Sequence, residues 1–157
     1  MSGHAVGGGC ELAMMCDLIV AAECARIALP ETTIGVIPGA GGTQPRTRVV
    51  SKALAMDMIL IGRSTTAEEA REARLVARVV PDGEHIATVL EMAARIAGSS
   101  LPIVTLAKEA VNKGYEIHLA KGIHLERRLL YATVATEDRK EGLTAFSEKR
   151  IPQLRNR

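Results

Sequence analysis

The sequence contains no tryptophan, one phenylalanine and two tyrosines in 157 residues. All three rings, Tyr115, Tyr131 and Phe146, lie beyond residue 100. A module that stacks bases on aromatics beside a basic stripe is thereby excluded from the first hundred residues, and no nucleic-acid partner is expected. No unbroken apolar run approaches the roughly 18 residues of a membrane span, so no membrane partner is expected either. Met1-Ser2-Gly3-His4 has neither the basic start nor the apolar stretch of a signal peptide. Cysteine is sparse. Cys10, Cys16 and Cys24 form no C-x-x-C and leave one over after any pairing, which predicts buried free thiols in a reducing compartment. His4, His85, His118 and His124 show no paired-ligand spacing, so no metal site is expected. There is no G-x-S-x-G, and the serines have no base partner nearby in sequence.

What is present fits one soluble globular domain, with 47% hydrophobic and 24% charged residues. The net charge is +2, unevenly placed. Residues 1–100 hold 9 basic and 11 acidic side chains, and residues 101–157 hold 11 and 7, or +4. That basic excess suits an anionic small molecule without requiring one.

Residues 1–63 are rich in glycine and turns, whereas residues 64–157 read almost entirely as helix. In the first part, Gly3 to Cys10 reads as a strand end, a glycine turn and a helix opening near Gly9. Cys16–Ala22 and Arg26–Pro30 read as short strands. Gly39-Ala40-Gly41-Gly42 predicts a backbone nest or tight turn, then a helix through Thr43. Thr66-Ala67-Glu68-Glu69 is a capping box, Pro81-Asp82-Gly83 a turn, and Ser100-Leu101-Pro102 a helix start. Two further helices are expected over His118–Ala135 and Arg139–Lys149. Met14, Met15, Met56 and Met58 are expected as core filler. This predicts an α/β unit, 1–63, followed by a helical lobe, 64–157.

A helix opening after Gly7-Gly8-Gly9 points free N–H groups and its positive dipole end at whatever lies in front. Glu11, one turn on, can share that space. An N–H donor beside a carboxylate suits chemistry in which a carbonyl oxygen gains charge while a proton moves. A plain glycine turn with an acidic residue near a helix N-terminus meets the same spacing and is the commoner arrangement.

The run Gly3-His4-Ala5-Val6-Gly7-Gly8-Gly9-Cys10-Glu11-Leu12-Ala13-Met14-Met15-Cys16-Asp17 closely resembles a signature of the enoyl-CoA hydratase/isomerase (crotonase) family. Leu29-Pro30-Glu31 and Gly35 to Gln44 resemble its second signature, and Ala135 to Arg150 its C-terminal helix. The resemblance implies part of a ββα spiral core followed by a helical lobe that serves oligomer contacts and covers the active site. It implies syn addition of water to a 2-trans-enoyl-CoA, giving 3-hydroxyacyl-CoA, in fatty-acid or branched-chain breakdown. Acyl-CoA is then the substrate, and no cofactor is expected. A homo-oligomer, trimer or hexamer, is implied, in the cytoplasm or mitochondrial matrix. By resemblance, Glu11 and Glu31 are the two catalytic glutamates, and both together favour hydratase over isomerase. Gly8 supplies one of two oxyanion-hole N–H groups, and Phe146 and Lys149 reach the CoA of a neighbouring subunit.

The sequence also departs from the family pattern. The family's N-terminal half, with the other oxyanion N–H and much of the adenine pocket, has no counterpart here, so weak turnover by the unaided chain is expected. Pro45-Arg46 stands for an Arg-Leu pair, Ser51 for a usual glycine, and Arg74 for the glycine that closes the Thr66 helix. A positive φ at Arg74 costs on the order of 1 kcal/mol. The alternative to an enzyme is a non-catalytic crotonase remnant acting only through oligomer contacts.

Overall fold

The computed structural model describes residues 1–44 and 49–157. They form two compact units, Met1–Leu90 and Glu91–Arg157. In the first, strand β1 (His4–Val6) ends at Gly7, whose φ of 56° favours glycine, and helix α1 (Gly8–Met14) begins at once. Strands β2 (Val20–Ala22) and β3 (Arg26–Ala28) follow where the apolar and proline-closed runs predict them. β3 pairs in parallel with β1, Ile27 opposite Ala5, and antiparallel with β4 (Thr65–Thr66), giving the order β1-β3-β4. β2 pairs in parallel with β5 (Arg78–Val80), Ala21 opposite Val79, in a separate sheet. Because β4 and β5 complete the two sheets, residues 64–90 belong with the first unit rather than with the helices beyond.

Between the strands lie a 3₁₀ turn (Glu31–Ile34), helix α2 (Lys52–Met56), a π turn (Asp57–Ile61) and helix α3 (Ala67–Glu72). The helix expected through Thr43 is a turn over residues 42–44, and Pro45-Arg46 lie outside the described residues. Ser51 needs no glycine-like backbone: its φ is −63°, and its Oγ accepts from the Leu54 N–H at 3.2 Å, capping α2. The core gathers Cys10, Met14, Ile27, Leu29, Met58 and Leu75. Met14 and Cys10 share a face one turn apart, which leaves Met15 exposed, and Met56 is exposed too. Two of the four methionines are therefore not core. None of the three cysteines forms a disulfide among the described residues; Cys10 is buried, whereas Cys16 and Cys24 sit in exposed turns.

The capping box forms as read, with Glu69 N–H on Thr66 Oγ1 at 3.2 Å and Thr66 N–H on Glu69 Oε2 at 2.7 Å. At the other end, Leu75 N–H reaches Ala70 O and Arg74 N–H reaches Arg71 O, a Schellman closure with Arg74 at φ 65°. An arginine there bears the Cβ strain that glycine avoids. Arg74→Gly is expected to raise stability by about 1 kcal/mol, read as a higher urea midpoint at unchanged slope. A lower midpoint would contradict this.

Helix α4 (His85–Ala97) carries the unit boundary, and α5 (Leu101–Gly114), α6 (Leu119–Thr133) and α7 (Glu137–Ser147) lie beyond it. α7 starts two residues before the expected Arg139 because Thr136 Oγ1 accepts the Arg139 N–H at 3.2 Å. In Glu91–Arg157 only Ser100, Asp138 and Ala145 are buried, and no large apolar side chain is. Among the described residues, no single helix is long and apolar enough to cross a membrane.

Candidate active site

The turn between β1 and α1 leads into the helix that carries Glu11 and lies beside the Glu31 carboxylate. Gly7 O accepts the Glu11 N–H at 3.0 Å, and a Cβ on Gly7 would stand 3.5 Å from Glu31 Oε1. Gly7 thus bonds the backbone of Glu11, and the Glu31 carboxylate lies where a side chain on Gly7 would point. Gly8 opens α1, and the first N–H groups of a helix have no carbonyl of their own helix to pair with. A Cβ on Gly8 or Gly9 would meet nothing within 4 Å, so neither glycine is required by the packing of this chain.

The two carboxylates have different surroundings. Glu11 is buried, and its Oε1 accepts from Ala40 N–H at 2.8 Å and Gly42 N–H at 2.9 Å. Two backbone amides converging on one oxygen fix where it sits. The predicted nest at Gly39–Gly42 exists, and its occupant is the Glu11 carboxylate itself. A Cβ on Gly42 would come within 2.8 Å of Pro38 Cβ and 3.0 Å of Glu11 Oε1, so the nest can form only around glycine. Glu31 begins the 3₁₀ turn, and both its oxygens are buried with no hydrogen-bond partner among the described residues. Buried polar atoms are nearly always paired, and exceptions cluster where chemistry is done.

The amides of Ala40 and Gly42 were not assigned to Glu11 at sequence level. They lie 29 and 31 residues away from it, and only the density of glycine signalled them.

Phe146 and Lys149 are placed by the second unit. Phe146 is 83% exposed in the last turn of α7, and Lys149 has a φ of 56° just past the helix end. Arg150 N–H to Ala145 O and Lys149 N–H to Phe146 O form a second Schellman closure. Beyond it the tail folds back along α7. Arg150 grips Glu141 with two guanidinium nitrogens, at 2.6 and 3.0 Å, while Gln153 N–H donates to Glu141 Oε1 at 2.8 Å. Asp138 accepts Arg155 N–H at 2.7 Å and Asn156 N–H at 2.8 Å.

The Arg150 guanidinium, then the Gln153 amide, hold the Glu141 carboxyl down at about 2. The Arg155 amide is foremost in lowering Asp138. A depressed carboxylate stabilises above its unfolded pKa and loses that contribution as pH falls through the folded value. Docking of residues 151–157 is therefore expected to persist at neutral pH and to fail between about pH 4.5 and pH 2, where Glu141 gains its proton. Amide-exchange protection at Gln153, Arg155 and Asn156 reads this, and full protection at the acid end would contradict it.

Known proteins extend these observations. The family profile described as enoyl-CoA hydratase/isomerase matches residues 1–157. The chain is 52% identical over 157 residues to a probable enoyl-CoA hydratase of Rhizobium meliloti, covering 100% of this chain and 61% of that protein. It is 52% identical over 150 residues to a mitochondrial enoyl-CoA hydratase of Pongo abelii, covering 96% of this chain and 52% of that one. A solved enoyl-CoA hydratase from Bacillus anthracis matches with a TM-score of 0.95 at 42% identity, over 99% of this chain and 60% of that one. The chain thus spans between about half and two thirds of the length of these relatives, and within that span its α/β part and helices follow the crotonase fold. With the match running from the first residue to the last, at identities far above those at which only folds agree, the chain belongs to the enoyl-CoA hydratase/isomerase family.

Proposed function

We propose that these residues form the hydratase centre of an enzyme that adds water to a 2-trans-enoyl-CoA. The observation that supports this reading is the unlike setting of the two glutamates, the Glu11 carboxylate pinned by two amides and the Glu31 carboxylate buried beside Gly7 with no hydrogen-bond partner among the described residues. A water held between Glu11 and Glu31 gives its oxygen to C3 of the enoyl chain as one glutamate takes its proton. The other glutamate delivers a proton to C2. In between, negative charge builds on the thioester oxygen. The N–H of Gly8, at the positive end of α1, would donate to that oxygen, and no side chain at Gly8 stands in the way of its approach. A second donor is expected from the family's N-terminal half.

Phe146 and Lys149 then belong to CoA binding across a subunit boundary. The exposed apolar positions of the helices, among them Leu119, Ile123, Leu130 and Tyr131, support self-association, with a trimer or hexamer as its ordered form. An aqueous compartment, cytoplasm or mitochondrial matrix, suits both readings. The same exposed helices favour the second reading, a non-catalytic member acting through oligomer contacts. Crotonyl-CoA hydration by the chain and its Glu31→Gln variant separates the two: the enzyme reading requires activity that this single exchange removes.

A further inference from the structure

Glu31 raises a question of placement. Among the described residues its carboxylate has no hydrogen-bond partner, so none of them fixes by a polar contact where it points. Its position must come from the backbone of the 3₁₀ turn that it opens. A polar contact ties that turn to the π turn: Thr32 Oγ1 donates to Ile59 O at 2.7 Å, across 27 residues. Ile59 lies near the end of Asp57–Ile61, where the last carbonyls of a helical segment have no intrahelical N–H. Thr32 therefore satisfies an orphan acceptor while it anchors the residue next to Glu31. The apolar side of the same seam is close. A Cβ on Gly62 would meet Thr33 Cγ2 at 3.2 Å and Pro30 Cα at 3.3 Å. Thr33 is occupied locally, its Oγ1 donating to Pro30 O at 2.7 Å. Among the described residues, the hydroxyl that donates across the seam is that of Thr32.

We propose that Thr32 is a positioning residue for Glu31, its hydroxyl bond to Ile59 O holding the Glu31 carboxylate against Gly7. This rests on the hydratase reading for its catalytic consequence, though not for its geometry. Without the hydroxyl, Ile59 O loses its partner, the turn separates from the π turn, and the carboxylate drifts from Gly7. A group misplaced by a fraction of an ångström no longer meets the water it must deprotonate or protonate.

Two measurements on the full chain test it. In amide spectra of the ¹⁵N-labelled protein, Glu31→Gln displaces the Gly7 resonance because the charged oxygen beside it is replaced. Thr32→Val, which keeps the shape and removes the hydroxyl, is expected to displace Gly7 as well, and Thr32→Ser to restore it. In crotonyl-CoA hydration, Thr32→Val is expected to lower kcat by about 10-fold with KM within about 2-fold, again with rescue by serine. A Thr32→Val protein that melts earlier but keeps the Gly7 resonance at its parent position overturns the proposal, since Thr32 then only stabilises. So does a serine variant that fails to rescue. Failure of the hydratase reading looks different: hydration is absent or indifferent to Glu31→Gln, while the Gly7 resonance still decides the role of Thr32.

Discussion

The Glu31→Gln chain is expected to hydrate crotonyl-CoA about 10²–10⁴-fold more slowly than the parent, the usual contribution of a positioned general acid or base. Glutamine keeps the length of the side chain and can still hydrogen-bond, but it cannot carry the proton. Binding of the CoA thioester is therefore expected to change far less than kcat. Glu11→Gln is expected to fall in the same range, and one of its effects differs. Both amides that grip Oε1, from Ala40 and Gly42, need an acceptor there, and the glutamine amide oxygen can serve one orientation only. Its NH₂ cannot face them, so the side chain is locked with the NH₂ toward the water. The ratio of variant to parent is the quantity to measure. Strong hydration that survives Glu31→Gln would overturn the assignment of roles.

Gly42→Ala is the second large effect expected. The added methyl would stand 2.8 Å from Pro38 Cβ, 3.0 Å from Glu11 Oε1 and 3.2 Å from Glu11 Cγ. Gly42 and Pro38 are both buried, so there is no solvent side into which the strain can relax. Overpacking of this kind costs about 1–3 kcal/mol. The softer partner is the Glu11 side chain, and its displacement breaks the two-amide grip. Hydration is expected to fall about 10²-fold along with the lowered urea midpoint. Gly142→Ala makes the matching control, because a Cβ there meets nothing within 4 Å inside α7. A Gly42→Ala chain matching the parent in midpoint and rate would mean that the nest is not tight.

Local chemistry was readable in the sequence, and distant pairing was not. The Thr66–Glu69 box, the Pro81-Asp82-Gly83 turn and the Gly7 break depend on residues within a few positions of each other, and all three form as read. Arg74 was flagged as a non-glycine at a helix end, and its φ of 65° follows from that position. By contrast, the Glu11 carboxylate finds its donors 29 and 31 residues downstream, and Thr32 finds its acceptor 27 residues away. No periodicity encodes those meetings. The π turn at Asp57–Ile61 was missed for a related reason: its residues, Asp-Met-Ile-Leu-Ile, read equally well as ordinary helix, and tertiary packing selects the wider winding. The exposed Cys16 and Cys24 show the limit of composition, since a thiol's usual preference for the interior says nothing of one placed in a turn.

Burial in this chain is lopsided: Met1–Leu90 holds nearly every buried apolar side chain, while Glu91–Arg157 buries only Ser100, Asp138 and Ala145. That asymmetry has a calorimetric meaning. The heat capacity gained on unfolding comes from apolar surface newly exposed to water and is reduced by polar surface. In the single chain, helices whose leucines and isoleucines are exposed or only half-buried have less left to expose when they melt. Their loss adds enthalpy from broken backbone bonds with less curvature in the stability profile than the first unit brings. The temperature of greatest stability is then set by the first ninety residues, and the helices beyond them follow a flatter, more nearly linear course with temperature.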